Sequence, residues 1–488
     1  MKKKERKLFY VVLAWALIAF SAFSGCGKKG DPDESFFEMT KKEKEHEKDM
    51  PWNHGLEAIM ETETGYYSSF SDEHNYLQAL CLRYYEKASG ETILLCNKPE
   101  CQHNGDDACE ATYKNIQVVN ALLYEGAIYI LGMEKEKGAG VNEYGEQGDK
   151  NVAINLYKAA LDGSSIDKVG CVISSEVPMD QSGKTSQIRM KQRDMFEEIY
   201  ELIDYSFIIH DGAAYIPYYL RFGQASKEYK GGGLVKMDLK TGETKTLYEA
   251  KTVHHGVPAF LMAKGDYVWF QVYGQYKGSR IKRYNIKTEE VEDFYGNTVE
   301  EPKDQIRLMN VLLGENRVYE LSYEENEKKN PTVWRFRAFD RETGEYHPEE
   351  TIVTDVSCDQ GRIRAAFVYE GKLFLANLYG CYCYDGQGNK VAELSFPQEQ
   401  TGLTFKKGTT STEGKAVFYK ISNDKLYLIF SDEMLDPRYI SYNANAYRKR
   451  VFTCPLKDFY SGNGSWTEVF TIEGRVIPED PGFHDAGE

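Results

Sequence analysis

Three cysteines and one histidine lie close together in the segment CNKPECQHNGDDAC, which runs from residue 96 to residue 109. Cys96, Cys101, His103 and Cys109 follow the spacing C-x4-C-x-H-x5-C. Three thiolates and one imidazole complete the tetrahedral ligand set of a structural zinc site, and they leave no open position for catalysis. A disulfide between Cys96 and Cys101, or between Cys101 and Cys109, is the alternative, because an exported chain would allow disulfides. Reduced thiols are the third interpretation, and all three stay open.

The N-terminal residues have the pattern of an export signal. A basic segment, residues 2 to 7, precedes an apolar stretch from residue 8 to residue 23. That stretch is shorter than the about 20 apolar residues that a membrane-spanning helix needs. The sequence Phe23-Ser24-Gly25-Cys26 resembles the lipobox of bacterial lipoproteins, although Phe23 stands where leucine is preferred. The resemblance implies cleavage after residue 25 and acylation of Cys26 by a membrane lipid.

On this hypothesis residues 1–25 are a signal peptide, and residues 26–52 form a charged tether between the lipid and the folded body. The tether has few apolar residues and dense charge of both signs, which is typical of a solvated spacer. We therefore expect a lipid-anchored protein on the extracytoplasmic face of the cell membrane. An uncleaved signal anchor with a chance cysteine is the alternative.

The overall charge excludes one class of partner. The chain has 60 Lys and Arg residues against 76 Asp and Glu residues, a net charge of -16. A strongly acidic surface repels phosphate backbones, so nucleic acid is not expected as a partner.

The elements that must position these residues are repeats. Between residues 53 and 475 one unit recurs seven times: an apolar strand, a turn at Gly, Asn or Asp, a second strand with an aromatic residue, and then another hairpin. Glycine, asparagine and aspartate supply the positive φ angles that tight hairpin turns require. Seven successive four-stranded antiparallel units predict an all-β fold, a seven-bladed β-propeller. A β-sandwich or two stacked β-domains would not explain the sequential four-strand period.

The predicted blades lie near residues 55–100, 116–172, 205–250, 257–297, 308–350, 363–397 and 415–472, and a C-terminal tail of residues 476–488 follows. The blade pattern includes Leu156-Tyr157-Lys158 and then Leu-Asp-Gly-Ser at residues 161–164. It resembles the propeller repeats of bacterial lipoproteins of the lipoprotein-receptor or TolB type. The cysteine and histidine segment is similar to an insertion in related propeller lipoproteins. The resemblance implies a fold and a membrane location but no activity.

Long connections are expected on one face of the ring. Within a blade the first and third turns are short, whereas the middle loops are long, at residues 134–152, 221–233, 322–331 and 432–447. We call the side of these loops the long-loop face and the opposite side the short-turn face. An insertion at residues 173–204 has apolar residues at helical spacing and predicts a helix that docks on the ring. A partner-binding helix is the alternative.

The composition of the long-loop face suggests binding. The chain has 36 Tyr against 24 Phe, and carboxylates beside tyrosines are typical of glycan sites as well as of ordinary solvated loops. No nucleophile elbow, phosphate-binding loop or HExxH motif occurs in the sequence, so no catalytic residues are assigned. We therefore predict a non-catalytic propeller that binds a protein, peptide or glycan. A secreted propeller hydrolase or lyase that acts on polysaccharide is the alternative. The candidate ligand-binding residues are Glu143, Tyr144, Tyr229, Tyr276, Tyr323, Asp436, Tyr439, Tyr442 and Asn443.

Overall fold

The computed structural model describes thirteen stretches of the chain. They are residues 59–71, 80–96, 116–141, 147–174, 207–221, 230–250, 257–274, 278–294, 306–325, 331–357, 363–402, 416–434 and 446–473. Among these residues, no helix has the length and apolar character needed to cross a lipid bilayer.

Seven antiparallel sheets of four strands each make up the described chain, and every sheet is built from four consecutive strands. This arrangement confirms the predicted seven-bladed β-propeller. Blade one contains β1 (Ile59–Glu61), β2 (Gly65–Ser71), β3 (Leu80–Glu86) and β4 (Thr92–Leu94). Blade two contains β5 (Ile116–Tyr124), β6 (Ala127–Val141), β7 (Gln147–Ala160) and β8 (Ile166–Ser174). Blade three contains β9 (Ile208–His210), β10 (Ala213–Arg221), β11 (Lys230–Asp238) and β12 (Thr244–Ala250).

The remaining four blades follow in chain order. Blade four contains β13 (Val257–Lys264), β14 (Tyr267–Gly274), β15 (Gly278–Asn285) and β16 (Glu290–Asp293). Blade five contains β17 (Ile306–Leu313), β18 (Arg317–Glu325), β19 (Pro331–Asp340) and β20 (Tyr346–Ser357). Blade six contains β21 (Ala365–Tyr369), β22 (Lys372–Ala376), β23 (Gly380–Tyr384) and β24 (Lys390–Ser395). Blade seven contains β25 (Ala416–Ser422), β26 (Lys425–Met434), β27 (Ala446–Pro455) and β28 (Thr467–Glu473).

Two short helices complete the described elements. Helix α1 (Gln398–Thr401) follows blade six, and helix α2 (Leu456–Tyr460) lies between β27 and β28. In blade seven, α2 therefore takes the place of the tight turn that the repeat predicts there.

Tight turns with left-handed backbone join the first two strands of several blades. Glu370 and Gly371 have φ angles of 48° and 70°, and Asn423 and Asp424 have 49° and 55°. Two consecutive positive φ angles are typical of the type I′ hairpin turn, which matches the twist of the strands that it joins. Local sequence alone therefore selects these hairpins.

The predicted loop at residues 134–152 of blade two is largely wrong. Strand β6 continues to Val141 and β7 begins at Gln147, and the two strands pair through most of the segment. The residues there are glycine and charged residues with no apolar alternation, so the sequence reads as a loop. Backbone hydrogen bonds between neighbouring strands extend the hairpin without needing a core.

Alternating side chains on each strand pack against the two neighbouring blades. On β14, Val268 and Phe270 belong to the apolar core shared with blade three, whereas Trp269 belongs to the core shared with blade five. Because both faces of the inner strands are covered, their sequences are apolar at nearly every position.

Blade seven meets blade one without an exchange of strands, since each of these sheets is complete in itself. An apolar cluster that includes Ile59 and Tyr66 from blade one, and Tyr427 and Phe470 from blade seven, fills the contact. The rings of Tyr66 and Phe470 lie 5.0 Å apart between centroids. We call this contact the closure seam.

Glu61 is the polar centre of the closure seam. Its side chain is 3% exposed, and it accepts hydrogen bonds of 2.9 Å from Lys87 Nζ of blade one and from Lys425 Nζ of blade seven. Asn423 Nδ2 donates to it at 3.2 Å, and the hydroxyl of Tyr427 donates as well. Burial would raise the pKa of Glu61, but the hydrogen bonds from Tyr427, Lys425 and Lys87 outweigh it and lower the pKa from 4.5 to about 2. The ring is therefore closed by an ionised and fully hydrogen-bonded carboxylate.

Candidate functional site

Most of the predicted site residues lie outside the described residues. These are Cys26, Cys101, His103, Cys109, Glu143, Tyr144, Tyr229, Tyr276, Asp436, Tyr439, Tyr442 and Asn443, together with most of the predicted helical insertion. Cys96 is described: it is half-buried and lies two residues after β4. The lipidation site, the zinc site and its disulfide alternative thus stay predictions.

Tyr323 is the predicted ligand-binding residue that the structure describes. It lies two residues before the end of β18, and it is half-buried. Its partner across the sheet is Trp334 of β19, and the two rings meet edge to face at 5.2 Å. Trp334 is 3% exposed, and its Nε1 has no hydrogen-bond partner. An aromatic pair therefore lies near the ends of β18 and β19 that point to the long-loop face.

The opposite side of β18 carries polar residues that the sequence did not single out. Glu320 and Ser322 alternate with Tyr323 and so face blade four, as does the apolar Val318 of the core between blades four and five. Glu320 Oε2 lies 3.4 Å from Arg337 Nη1 of β19, and these side chains are 4% and 7% exposed. Burial raises the pKa of Glu320 from 4.5 to about 7, although Arg337 favours the charged form.

Gln271 of blade four faces the same interface. It lies on β14 two residues after Trp269, whose ring belongs to the core between blades four and five. Gln271 has no exposed surface, and among the described residues neither its Nε2 nor its Oε1 has a hydrogen-bond partner. The hydroxyl of Ser322 also has none. We call Gln271, Glu320, Ser322 and Arg337 the polar layer.

The polar layer occupies one end of its interface. At the short-turn end of the same interface, Arg283 Nη1 donates to the carbonyl oxygen of Arg341 at 2.9 Å and so ties blade four to blade five. Gln271 lies further along β14 and Ser322 further along β18, towards the long-loop face. A buried polar group without a partner costs about 1–3 kcal/mol. The blades are thus tied at one end and incompletely hydrogen-bonded towards the long-loop face.

One signal in the sequence could have revealed Gln271. In the segment YVWFQV, residues 267–272, both alternating sets of side chains are apolar apart from the glutamine. A strand with two apolar faces is buried on both sides, so a polar residue within it must also be buried. Glu320 has no such signal, because its burial depends on the neighbouring blade.

An exposed group of possible ligand atoms lies at the start of β20. His347, Glu349 and Glu350 place one ligand atom each within 4.8 Å of one another. However, Glu350 is already bound by the guanidinium of Arg317, through hydrogen bonds of 2.7 and 2.8 Å. The group is better explained by these ion pairs than by a metal, and we assign no metal to it.

No protein-family model and no curated protein sequence matches the chain. Similar solved structures include a puromycin hydrolase, with 10% identity and a TM-score of 0.44 over 88% of this chain and 55% of that one. A prolyl endopeptidase structure has 10% identity and a TM-score of 0.42 over 91% of this chain and 52% of that one. AztD from Citrobacter koseri has 9% identity and a TM-score of 0.42 over 87% and 90% of the two chains. The chain thus spans about half the length of the two hydrolytic enzymes, and at these values the likenesses carry no activity over to it.

Proposed function

We propose that the chain is a lipid-anchored propeller on the extracytoplasmic face of the membrane, and that it binds a protein, peptide or glycan without catalysis. The ligand would contact the long-loop face near blades five and six. The observation that carries the proposal is the edge-to-face pair of Tyr323 and Trp334 near the long-loop ends of β18 and β19.

Aromatic residues at the edge of a rigid sheet are suited to binding. Tyrosine and tryptophan bury a large apolar area and lose little conformational entropy, while their polar atoms can still hydrogen-bond a ligand. Tyr323 is held by Trp334 behind it, so the ring is positioned before any ligand arrives. Preorganisation of this kind reduces the entropic cost of binding.

Several side chains on the short-turn face stabilise the turns to which they belong. On the short-turn face the side chains of Asp238, Asn285, Asp340 and Asp385 each accept two backbone hydrogen bonds within their own turn. These acceptors stabilise the turns and are occupied. These side chains are therefore committed to holding the turns, which suits the short-turn face to a structural role.

The buried Glu320 does not supply a catalytic carboxyl for the hydrolase or lyase alternative. A carboxyl with a pKa near neutrality is a common feature of catalytic sites. Glu320, however, is 3% exposed and faces Arg337 inside the ring. A general acid or base must reach the proton that it transfers, and this carboxyl does not contact a solvent-open surface.

The test uses the full-length chain, purified in detergent, on glycan and peptide arrays and in pull-downs with surface proteins. We expect Tyr323→Ala to weaken binding of the captured ligand at least about tenfold, since interface tyrosines often contribute 2 kcal/mol or more. The matched control is Tyr460→Ala, which changes the last residue of α2, between β27 and β28 of blade seven. Equal loss in both variants, or steady breakdown of a polysaccharide by the wild-type chain, would contradict the proposal.

A further inference from the structure

A cleft of about 240 Å³ opens between blades five and six. Its lining comes from β20, the last strand of blade five, and from β23 and β24, the last two strands of blade six. Because the last strands of a propeller blade lie furthest from the central channel, the cleft opens on the outer wall of the ring. The lining residues are Asp355, Val356, Tyr382, Lys390, Glu393, Leu394 and Ser395.

The charged residues of the cleft form a row in which a donor stands between two acceptors. Lys390 Nζ lies 2.8 Å from Asp355 Oδ2 and 2.7 Å from Glu393 Oε2. The hydroxyl of Tyr384 donates to the other oxygen of Asp355 at 2.6 Å. Asp355 and Glu393 are nevertheless 59% and 57% exposed. Each carboxylate can accept further hydrogen bonds, since two oxygens offer about four acceptor positions.

The row keeps its charges at neutral pH. Hydrogen bonds from Lys390 and Tyr384 lower the pKa of Asp355. Hydrogen bonds to Asp355 and Glu393 raise the pKa of Lys390. Two carboxylates and one ammonium therefore face the cleft together, and they offer fixed hydrogen-bonding groups to a ligand.

This arrangement discriminates between classes of ligand. An anion would be repelled by the two carboxylates, and a cation would have to compete with Lys390 for both of its ion pairs. A neutral hydroxyl can donate to a carboxylate and accept from the ammonium without breaking either pair. Neighbouring hydroxyls on one molecule could therefore bind along the row.

We propose that this cleft is a binding site for one unit of a neutral saccharide. Hydroxyls of the sugar hydrogen-bond Asp355, Lys390 and Glu393, because the exposed lining of the cleft is almost entirely polar. The cleft is smaller than the roughly 300–1,000 Å³ of sites for drug-sized ligands, which suits a single sugar ring better than a folded peptide. The site lies on the outer wall of the contact between blades five and six, and it is lined by other residues than Tyr323 and Trp334.

The test is saturation-transfer NMR with the full-length chain in detergent, followed by calorimetric titration. The probes are glucose, galactose, mannose and N-acetylglucosamine. We expect at least one of them to bind, and we expect Asp355→Asn and Glu393→Gln each to weaken that binding about tenfold, since a hydrogen bond to a charged group is stronger than one to a neutral group. Tyr323→Ala should leave sugar binding unchanged.

Two controls make the result specific. Glu292→Gln changes a half-exposed carboxylate that pairs with Arg283 on blade four, and it should leave binding unchanged. Urea unfolding of each variant establishes that the ring is intact. The proposal is overturned if none of the four sugars binds the wild-type chain, or if a bound sugar is unaffected by both cleft variants. Tighter binding of methylammonium or acetate than of any sugar would overturn it as well.

Discussion

The closure seam and the polar layer both bury a glutamate between two blades, but they shift the pKa of its carboxyl in opposite directions. At the seam Glu61 accepts hydrogen bonds from two lysines, a tyrosine and an asparagine, and its pKa falls to about 2. In the polar layer Glu320 has Arg337 at 3.4 Å, and its pKa rises to about 7. The number of donors around a buried carboxyl, rather than burial itself, decides which charge state is favoured.

The difference follows from the position of each interface in the chain. Blades four and five are consecutive in the sequence, so the chain connection already brings them together. Blades one and seven lie at opposite ends of the described chain and share no strand. A saturated ionic cluster specifies their pairing, because any other arrangement would bury the carboxylate of Glu61 without its donors.

Loss of Glu61 should therefore have the largest effect on stability. In Glu61→Ala, Lys87, Lys425 and Tyr427 lose a shared acceptor, and we expect the free energy of unfolding in urea to fall by about 3–5 kcal/mol. The control is Asp266→Asn, which removes an exposed ion pair with Lys287 and should cost less than about 1 kcal/mol. Similar losses in the two variants would mean that the seam does not depend on its charges.

Acid should weaken the seam in the same way. The pKa of Glu61 is 4.5 in an unfolded chain and about 2 in the folded one, so its stabilisation is complete above about pH 4.5 and is lost as the pH falls towards 2. The expected loss is about 3 kcal/mol at most, measured by urea unfolding across that range. In Glu61→Gln the free energy of unfolding should fall less between pH 4.5 and pH 2 than it does in the wild-type chain. An equal fall in both would mean that other groups cause the acid sensitivity.

Gln271→Leu tests the incomplete hydrogen bonding of the polar layer. Since both amide atoms of Gln271 are buried without partners, an apolar side chain of similar size should stabilise the fold by about 1–3 kcal/mol. The matched control is Asn377→Leu, because Asn377 is equally buried but its Oδ1 accepts from the backbone N–H groups of Tyr379 and Gly380. That variant should be destabilised. Destabilisation of both variants would indicate that Gln271 has a partner in solution.

The smallest effect is expected between about pH 6 and pH 8, from the upper part of the titration of Glu320, and its sign is opposite to that of Glu61. A pKa raised from 4.5 to about 7 means that the folded state binds the extra proton, so this contribution to stability is complete below about pH 4.5 and is lost as the pH rises from there through about 7. We expect a decline of about 1 kcal/mol between about pH 6 and pH 8 in thermal or urea unfolding. Glu320→Gln should remove that decline. A wild-type curve that rises over this range, and does so equally in Glu320→Gln, would show that the carboxyl is ionised in the fold.

The sequence predicted the blades well because their signals are local. Turns such as Glu370-Gly371 and the alternating apolar residues around them depend on a few neighbours in the chain. The long loop of residues 134–152 was misjudged, since strand pairing there rests on backbone hydrogen bonds that leave no apolar pattern. Gln271 was detectable from the two apolar faces of its strand, but Glu61 looks like an ordinary charged residue at a strand end.

By itself, then, the sequence determined the number of blades, their order and the position of their tight turns, because backbone preference and apolar alternation act over short distances. Only the tertiary structure decided which charges are buried and which groups meet. Glu61 meets Lys425 across more than three hundred residues, and Asp355 meets Lys390 across the boundary of two blades. Such contacts depend on closure of the whole ring and on the packing of neighbouring sheets, and no local pattern in the chain encodes them.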